Sequence, residues 1–275
     1  GTGKSTLLRG VAREMDIGFE FVEGNAELTP ARLIGHFDPA RVLSEGYNPD
    51  VFVAGPLAQA LNDGSLLYIE ELNRVPEETL NVLITVMSER ELNVPRLGRI
   101  EAAPGFRLVS AMNPFDAVGT ARISGAVYDR VCRIAVGYQS VADETMILRR
   151  ETAQASPGAL NDVDASWRDG VVELVRLTRN HPDLRIGSSI RGAIDMVMVA
   201  NSLAQLREAT AYTPSVSLDA ALVALSGRVR LREGTSRTSE DVIRELWESV
   251  FGRSQAEGED GEGKDGAPTR GMTSS

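Results

Sequence analysis

The chain opens Gly1-Thr2-Gly3-Lys4-Ser5-Thr6, and no other six residues restrict its fold as tightly. They match the back half of G-x-x-x-x-G-K-[ST], a loop whose successive backbone N–H groups cradle phosphates while the lysine reaches phosphate oxygens and the hydroxyl binds Mg²⁺. The motif requires a strand before it and a helix after it. The helix is legible, because Leu7, Leu8, Val11 and Met15 recur at helical spacing, and its dipole would put a positive end on the anion. The front is missing: the first glycine, two further residues and the delivering strand would lie ahead of Gly1, so the chain reads as cut within the loop.

Leu66-Leu67-Tyr68-Ile69 is a continuous apolar run between Gly64-Ser65 and two acids, Glu70 and Glu71. Such a run reads as a strand buried on both faces of a parallel sheet. Phe19–Val22, Phe106–Met112 and Cys132–Val136 read as further strands, with Cys132 in the core. Helices are expected at 56–62 and 76–90 and a hairpin at 91–105; residues 23–50, punctuated by Pro30, Gly35, Pro39, Gly46 and Pro49, read as irregular. Beyond Gln139 only helical periodicity remains, at 141–152, 165–181, 188–209, 216–231 and 238–251. Strand–helix units followed by helices alone predict an α/β core with a parallel sheet, lacking its first strand, over 1–140, and an all-α lid domain over 141–252. Residues 253–275 have almost no apolar side chains and read as a disordered tail.

At 275 residues and 42% hydrophobic content the chain can bury a sizeable core, and no apolar run approaches a bilayer span. One cysteine leaves no internal disulfide, which fits a cytoplasmic protein, and with two histidines it leaves no zinc site. A net charge of −10 disfavours broad nonspecific binding to nucleic acid.

Glu70 and Glu71 end a parallel strand, where open α/β sheets hold their ligands. One carboxylate there can hold Mg²⁺, through water, and the next can polarise an attacking water, the two tasks that phosphoryl transfer sets a protein. Glu70 is assigned the metal with Ser5, and Glu71 the base. Asn113 ends the strand that should lie alongside; its amide can orient water, or it can simply cap the turn before Pro114.

The segments GTGKST, LLYIEELNRVPEETLNVLITVMSERE, FRLVSAMNP, GTARISGAVYDRV and RIGSSIRGAI together resemble the AAA+ ATPases, and among them the MoxR branch with its dynein-related and magnesium-chelatase-like relatives. The resemblance runs from residue 1 to about residue 250. It implies a P-loop NTPase core with a helical lid, ATP and Mg²⁺ as cofactors, and Gly1, Thr2, Gly3, Lys4, Ser5 and Thr6 as nucleotide contacts. It further implies Asn113 as sensor 1, Arg130 as an arginine finger acting on a neighbouring subunit, and Arg191 as sensor 2. The 91–105 hairpin resembles the insertion that points into the ring pore. The family usually has Asp where this chain has Glu70. In its sheet the strand missing here is central, between those at 106–112 and 132–136.

The resemblance also implies a ring-shaped homo-oligomer, expected as a hexamer, that hydrolyses ATP to remodel or mature a protein partner, such as a von Willebrand factor A domain protein. Two other functions stay open. One is a nucleic-acid motor, for which the hairpin offers Arg96 and Arg99 beside Glu91 and Glu101. The other is a nucleotide-held scaffold with little turnover, for which Glu70 is the hint.

Overall fold

The computed structural model describes residues 3–113, 123–153 and 162–252, with the side chains of residues 162 and 163 left out. Gly1, Thr2 and the expected disordered tail lie outside these residues. The described chain divides into two compact units, Gly3–Val136 and the residues from Gly137 onward.

The first unit runs α1 (Lys4–Glu14), β1 (Phe19–Glu23), α2 (Pro30–Ile34), β2 (Gly35–Phe37), α3 (Pro39–Glu45), β3 (Phe52–Ala54), α4 (Pro56–Asp63), β4 (Leu66–Glu70), α5 (Glu77–Glu89), β5 (Glu91–Val94), β6 (Gly98–Glu101), β7 (Arg107–Ser110) and α6 (Gly125–Tyr128). Three strands form a parallel sheet in the order β1-β4-β7. Its register pairs Phe21 with Tyr68, Glu23 with Glu70 and Ile69 with Ser110. Alternation along β4 decides what lies where. Leu67 and Ile69 enter a core with Val22, Leu57, Leu61, Leu80 and Leu83, while Tyr68 faces the other way, against Phe19 and Phe21.

The stretch read as irregular, 23–50, contains α2, β2 and α3. Its prolines start helices rather than loops. Thr29 and Asp38 are N-caps whose side chains accept from Arg32 N and Ala40 N, and Pro30 and Pro39 occupy first-turn positions that need no N–H. The 91–105 segment forms the expected antiparallel hairpin, β5 with β6.

The expected strand at Cys132–Val136 is absent, and Cys132 is exposed rather than in the core. A strand exists only by pairing, and β7 is an edge of the sheet, with no neighbour on its far side among the described residues. Ile134 is accordingly 83% exposed. The helical period predicted for α1 is present, yet Leu7 and Met15 are 58% and 64% exposed and only Ala12 is buried.

The second unit comprises α7 (Val141–Thr152), α8 (Asp162–Thr178), β8 (Leu184–Ile186), α9 (Ile190–Leu206), α10 (Pro214–Leu225), β9 (Arg230–Leu231) and α11 (Ser239–Phe251). It is helical but not all-α: β8 and β9 make a small antiparallel ribbon. Leu148, Leu174, Met196, Leu225 and Ile243 lie in its core. Trp167 and Trp247 are both buried there, and both donate indole N–H bonds to Ser217 Oγ, at 2.9 and 3.0 Å. Glu144, fully buried, is neutralised by Arg176 and Arg179, each at 2.7 Å; without them an ionised carboxylate there would be very costly. Among the described residues, no helix is long and apolar enough to cross a membrane.

Candidate functional site

Gly3 takes the left-handed conformation, φ 73°, that turns the chain into α1, so a side chain there would be strained. Lys4, Ser5 and Thr6 form the first helical turn. Lys4 and Ser5 are half-buried and Thr6 is exposed. This turn sits over the carboxyl end of β4. Ser5 Oγ donates to Glu70 Oε1 at 2.8 Å and lies 3.3 Å from the Tyr68 hydroxyl.

Glu70 is the last residue of β4. Immediately after it Glu71 adopts φ 53°, ψ 45°, a left-handed conformation uncommon for a side chain of this size. Its Oε2 is shielded from solvent and has no hydrogen-bond partner. The same oxygen is 3.3 Å from Arg74 Nε. That distance permits ion-pair attraction, but the geometry is not that of a hydrogen bond, so the carboxylate keeps unused acceptor capacity. Arg74 thus makes a local salt bridge.

The turn is held from both sides. Gly24 N donates to Glu70 O at 2.8 Å, and Ala111 N donates to Ile69 O while Leu72 N donates to Ala111 O. Gly24 approaches so closely that a Cβ would stand 2.5 Å from Glu71 O and 2.8 Å from Glu70 O. Asn113 follows two residues beyond Ala111, past the end of β7, and is exposed.

The structure therefore gathers Ser5, Glu70 and Glu71 around the end of one strand, with Asn113 shortly beyond the neighbouring one. Arg130 is engaged elsewhere: exposed after α6, it donates from Nε to Ser88 Oγ at 2.7 Å and from a terminal nitrogen to Ala126 O at 2.9 Å. Arg191 is exposed in the first turn of α9, in the helical unit.

Tyr68 and Gly24 belong to this site and sequence reasoning passed over both. The signal for Tyr68 was its place two residues before Glu70, on the same strand face; that for Gly24 was a glycine just past β1. Tyr68 is fully buried. Burial pushes its phenol above the ordinary value, and the nearby Glu70 charge and hydrogen bond add to this.

Residues 1–131 match the family model described as AAA domain (dynein-related subfamily). An uncharacterized protein of Staphylococcus epidermidis is 34% identical over 140 residues, 50% of this chain and 52% of that protein. One from Staphylococcus aureus matches with the same identity and coverage. The chain thus spans about half the length of these relatives. A solved mutant of RuvB from Thermotoga maritima superposes with a TM-score of 0.50 at 18% identity, covering 80% of this chain and 58% of that one. At that identity the likeness concerns fold alone, an AAA+-like α/β unit with a helical C-terminal region. Residues 1–131 are thus similar to an AAA domain of the dynein-related subfamily, a type of domain associated with nucleotide binding.

Proposed function

We propose that this chain is the ATPase part of a MoxR-like remodelling machine: it binds ATP with Mg²⁺, hydrolyses it to ADP and phosphate, and couples this to work on a protein partner. The observation that carries the reading is the junction of Ser5 with Glu70 at 2.8 Å, beside a strained Glu71. Backbone strain of this kind costs about 1–3 kcal/mol and concentrates at functional sites.

The oxygen donors fit the group they would hold. A hydroxyl and a carboxylate suit a hard cation, which ordinarily takes few protein ligands and completes its shell with phosphates and water, and the second carboxylate, with an unbonded oxygen, is left to accept a proton. Bound Mg²⁺ would neutralise charge on the phosphate oxygens. Ser5 and Glu70 would hold it, Lys4 and the N–H groups of the first α1 turn would bind the phosphates, and Glu71 would accept the proton of the attacking water. Asn113 would orient that water. Arg130 would act on the site of a neighbouring subunit in a ring, leaving Ser88 to do so, and Arg191 would contact the nucleotide from the lid.

The test is Glu71→Gln in the full-length protein. ATP binding should persist while turnover falls by about 10²–10⁴-fold, the usual contribution of a general base; undiminished turnover would remove Glu71 from this role. Glu70 in place of the family's usual Asp keeps a slow or silent scaffold in view, and single-turnover measurement separates it from a working ATPase. A nucleic-acid motor has less support. Arg99 is bound to Glu91 and Glu101 at 2.7 and 2.9 Å, and Arg96 lies over the Tyr47 ring at 3.8 Å. The client, here a von Willebrand factor A domain protein by resemblance, and the hexameric ring belong to the same proposal.

A further inference from the structure

We infer that Tyr68 is a positioning residue for the cation: its hydroxyl fixes the rotor of Ser5 so that one lone pair of the serine oxygen stays directed at Mg²⁺. This deepens the nucleotide-site reading and rests on it.

A serine hydroxyl has one proton to donate and two lone pairs. Ser5 gives its proton to Glu70 Oε1 at 2.8 Å. For a hydrogen bond at the 3.3 Å contact with Tyr68 the phenol is then the donor, its proton shared between Ser5 and the nearby Glu70 carboxylate, and it occupies one lone pair. One remains, and with the oxygen's other three directions taken by Cβ, the proton and the phenol, its direction is set. Without Tyr68 the hydroxyl keeps only the Glu70 anchor and can swing about it.

Three observations make Tyr68 suited to this task. It sits two residues before Glu70 on one strand, so both side chains leave the same face, and the length of a tyrosine brings its hydroxyl level with the strand's end. Its ring is immobilised, fully buried between Phe19 and Phe21 with centroids at 6.1 and 5.9 Å. Arg9 packs on those two rings, its guanidinium 5.5 and 5.3 Å from their centroids. A phenylalanine would fill the same space, so the hydroxyl is the part that packing does not explain.

The experiment is the Mg²⁺ dependence of ATP binding, by calorimetry on the full-length protein, for wild type, Tyr68→Phe, Ser5→Ala and the double variant. Tyr68→Phe should raise the Mg²⁺ concentration for half-maximal tight binding by about three- to tenfold, the worth of one hydrogen bond. Affinity for ATP in EDTA should stay unchanged, and in the Ser5→Ala background the substitution should add nothing. An unshifted Mg²⁺ midpoint overturns the inference while leaving the nucleotide site standing. So does an equal shift in both backgrounds, or a parallel fall of affinity in EDTA, which marks a packing effect instead. If wild-type binding ignores both Mg²⁺ and Ser5→Ala, the underlying site reading falls, and the inference falls with it.

Discussion

Ser5 and Glu70 lie 65 positions apart in sequence, and one hydrogen bond of 2.8 Å joins them. It ties the N-terminus of α1 to the carboxyl end of β4, joining the two halves of the candidate site. A hydrogen bond to a charged acceptor is worth about 1.5–3 kcal/mol, enough to make either residue felt at the other. Glu70→Ala should therefore weaken Mg²⁺-dependent ATP binding by about tenfold or more and also lower stability, read by calorimetry and by denaturant titration respectively.

Glu71 holds its position at the cost of backbone strain at φ 53°. Glu71→Gly removes roughly 1–2 kcal/mol of that strain while the extra freedom of the unfolded chain offsets about 0.4–1 kcal/mol. The variant should unfold at equal or slightly higher denaturant than wild type while losing hydrolysis. Glu71→Gln keeps the strain, so it should lose hydrolysis with no gain in stability.

Gly24 has no room for a methyl group, since its Cβ would meet the carbonyl oxygens of Glu70 and Glu71 at 2.8 and 2.5 Å. Backbone cannot swing aside as a side chain can. Gly24→Ala should cost about 1–3 kcal/mol, the range for overpacking, and reduce turnover because the displaced turn carries both carboxylates. Chemical denaturation and a steady-state assay on one preparation check the two effects together.

Ser217 satisfies both indole N–H groups of the two tryptophans the chain possesses. Ser217→Ala strands two buried donors, at about 1–3 kcal/mol each. The helical unit should lose about 2–6 kcal/mol, and tryptophan fluorescence reports its unfolding directly.

The N-terminus of α11 should titrate. Thr238 and Asp241 form a capping box, and hydrogen bonds from Thr238, first its backbone N–H and then its hydroxyl, hold the Asp241 carboxyl below its ordinary 3.8, helped by the charges of Arg237 and Arg244. Because the folded-state value is the lower one, the stabilisation is complete above 3.8 and decays as pH falls below it. Acid unfolding of Asp241→Asn should show a shallower loss over that range than wild type, whereas a parallel curve would dismiss the cap as a source of acid sensitivity.

Much of this could be read from sequence because it is local. The apolar run Leu66–Ile69, the proline at the start of α5 and the helical periods of α7 to α11 obey rules that act within a few residues. The same rules cover α2 and α3, where Thr29-Pro30 and Asp38-Pro39 carry the start signal, but reading the prolines as breakers hides it. Cys132–Val136 failed for the opposite reason. Its residues favour a strand, but preference for the extended state becomes a strand only beside a partner, and this segment pairs with no strand among the described residues, leaving the far edge of β7 open.

By itself the sequence determined most of the helices and the buried strand Leu66–Glu70, and that a phosphate-loop ending and a strand ending in two acids occur in one chain. Tertiary structure alone decided what those pieces mean to one another. Strand alternation turned Tyr68 toward Ser5 and Leu67 away from it, Gly24 and Ala111 pinned the turn that strains Glu71, and the sheet edge left Ile134 in solvent. Each outcome depends on contacts between residues far apart in the chain, and a local pattern holds no information about which surfaces will meet.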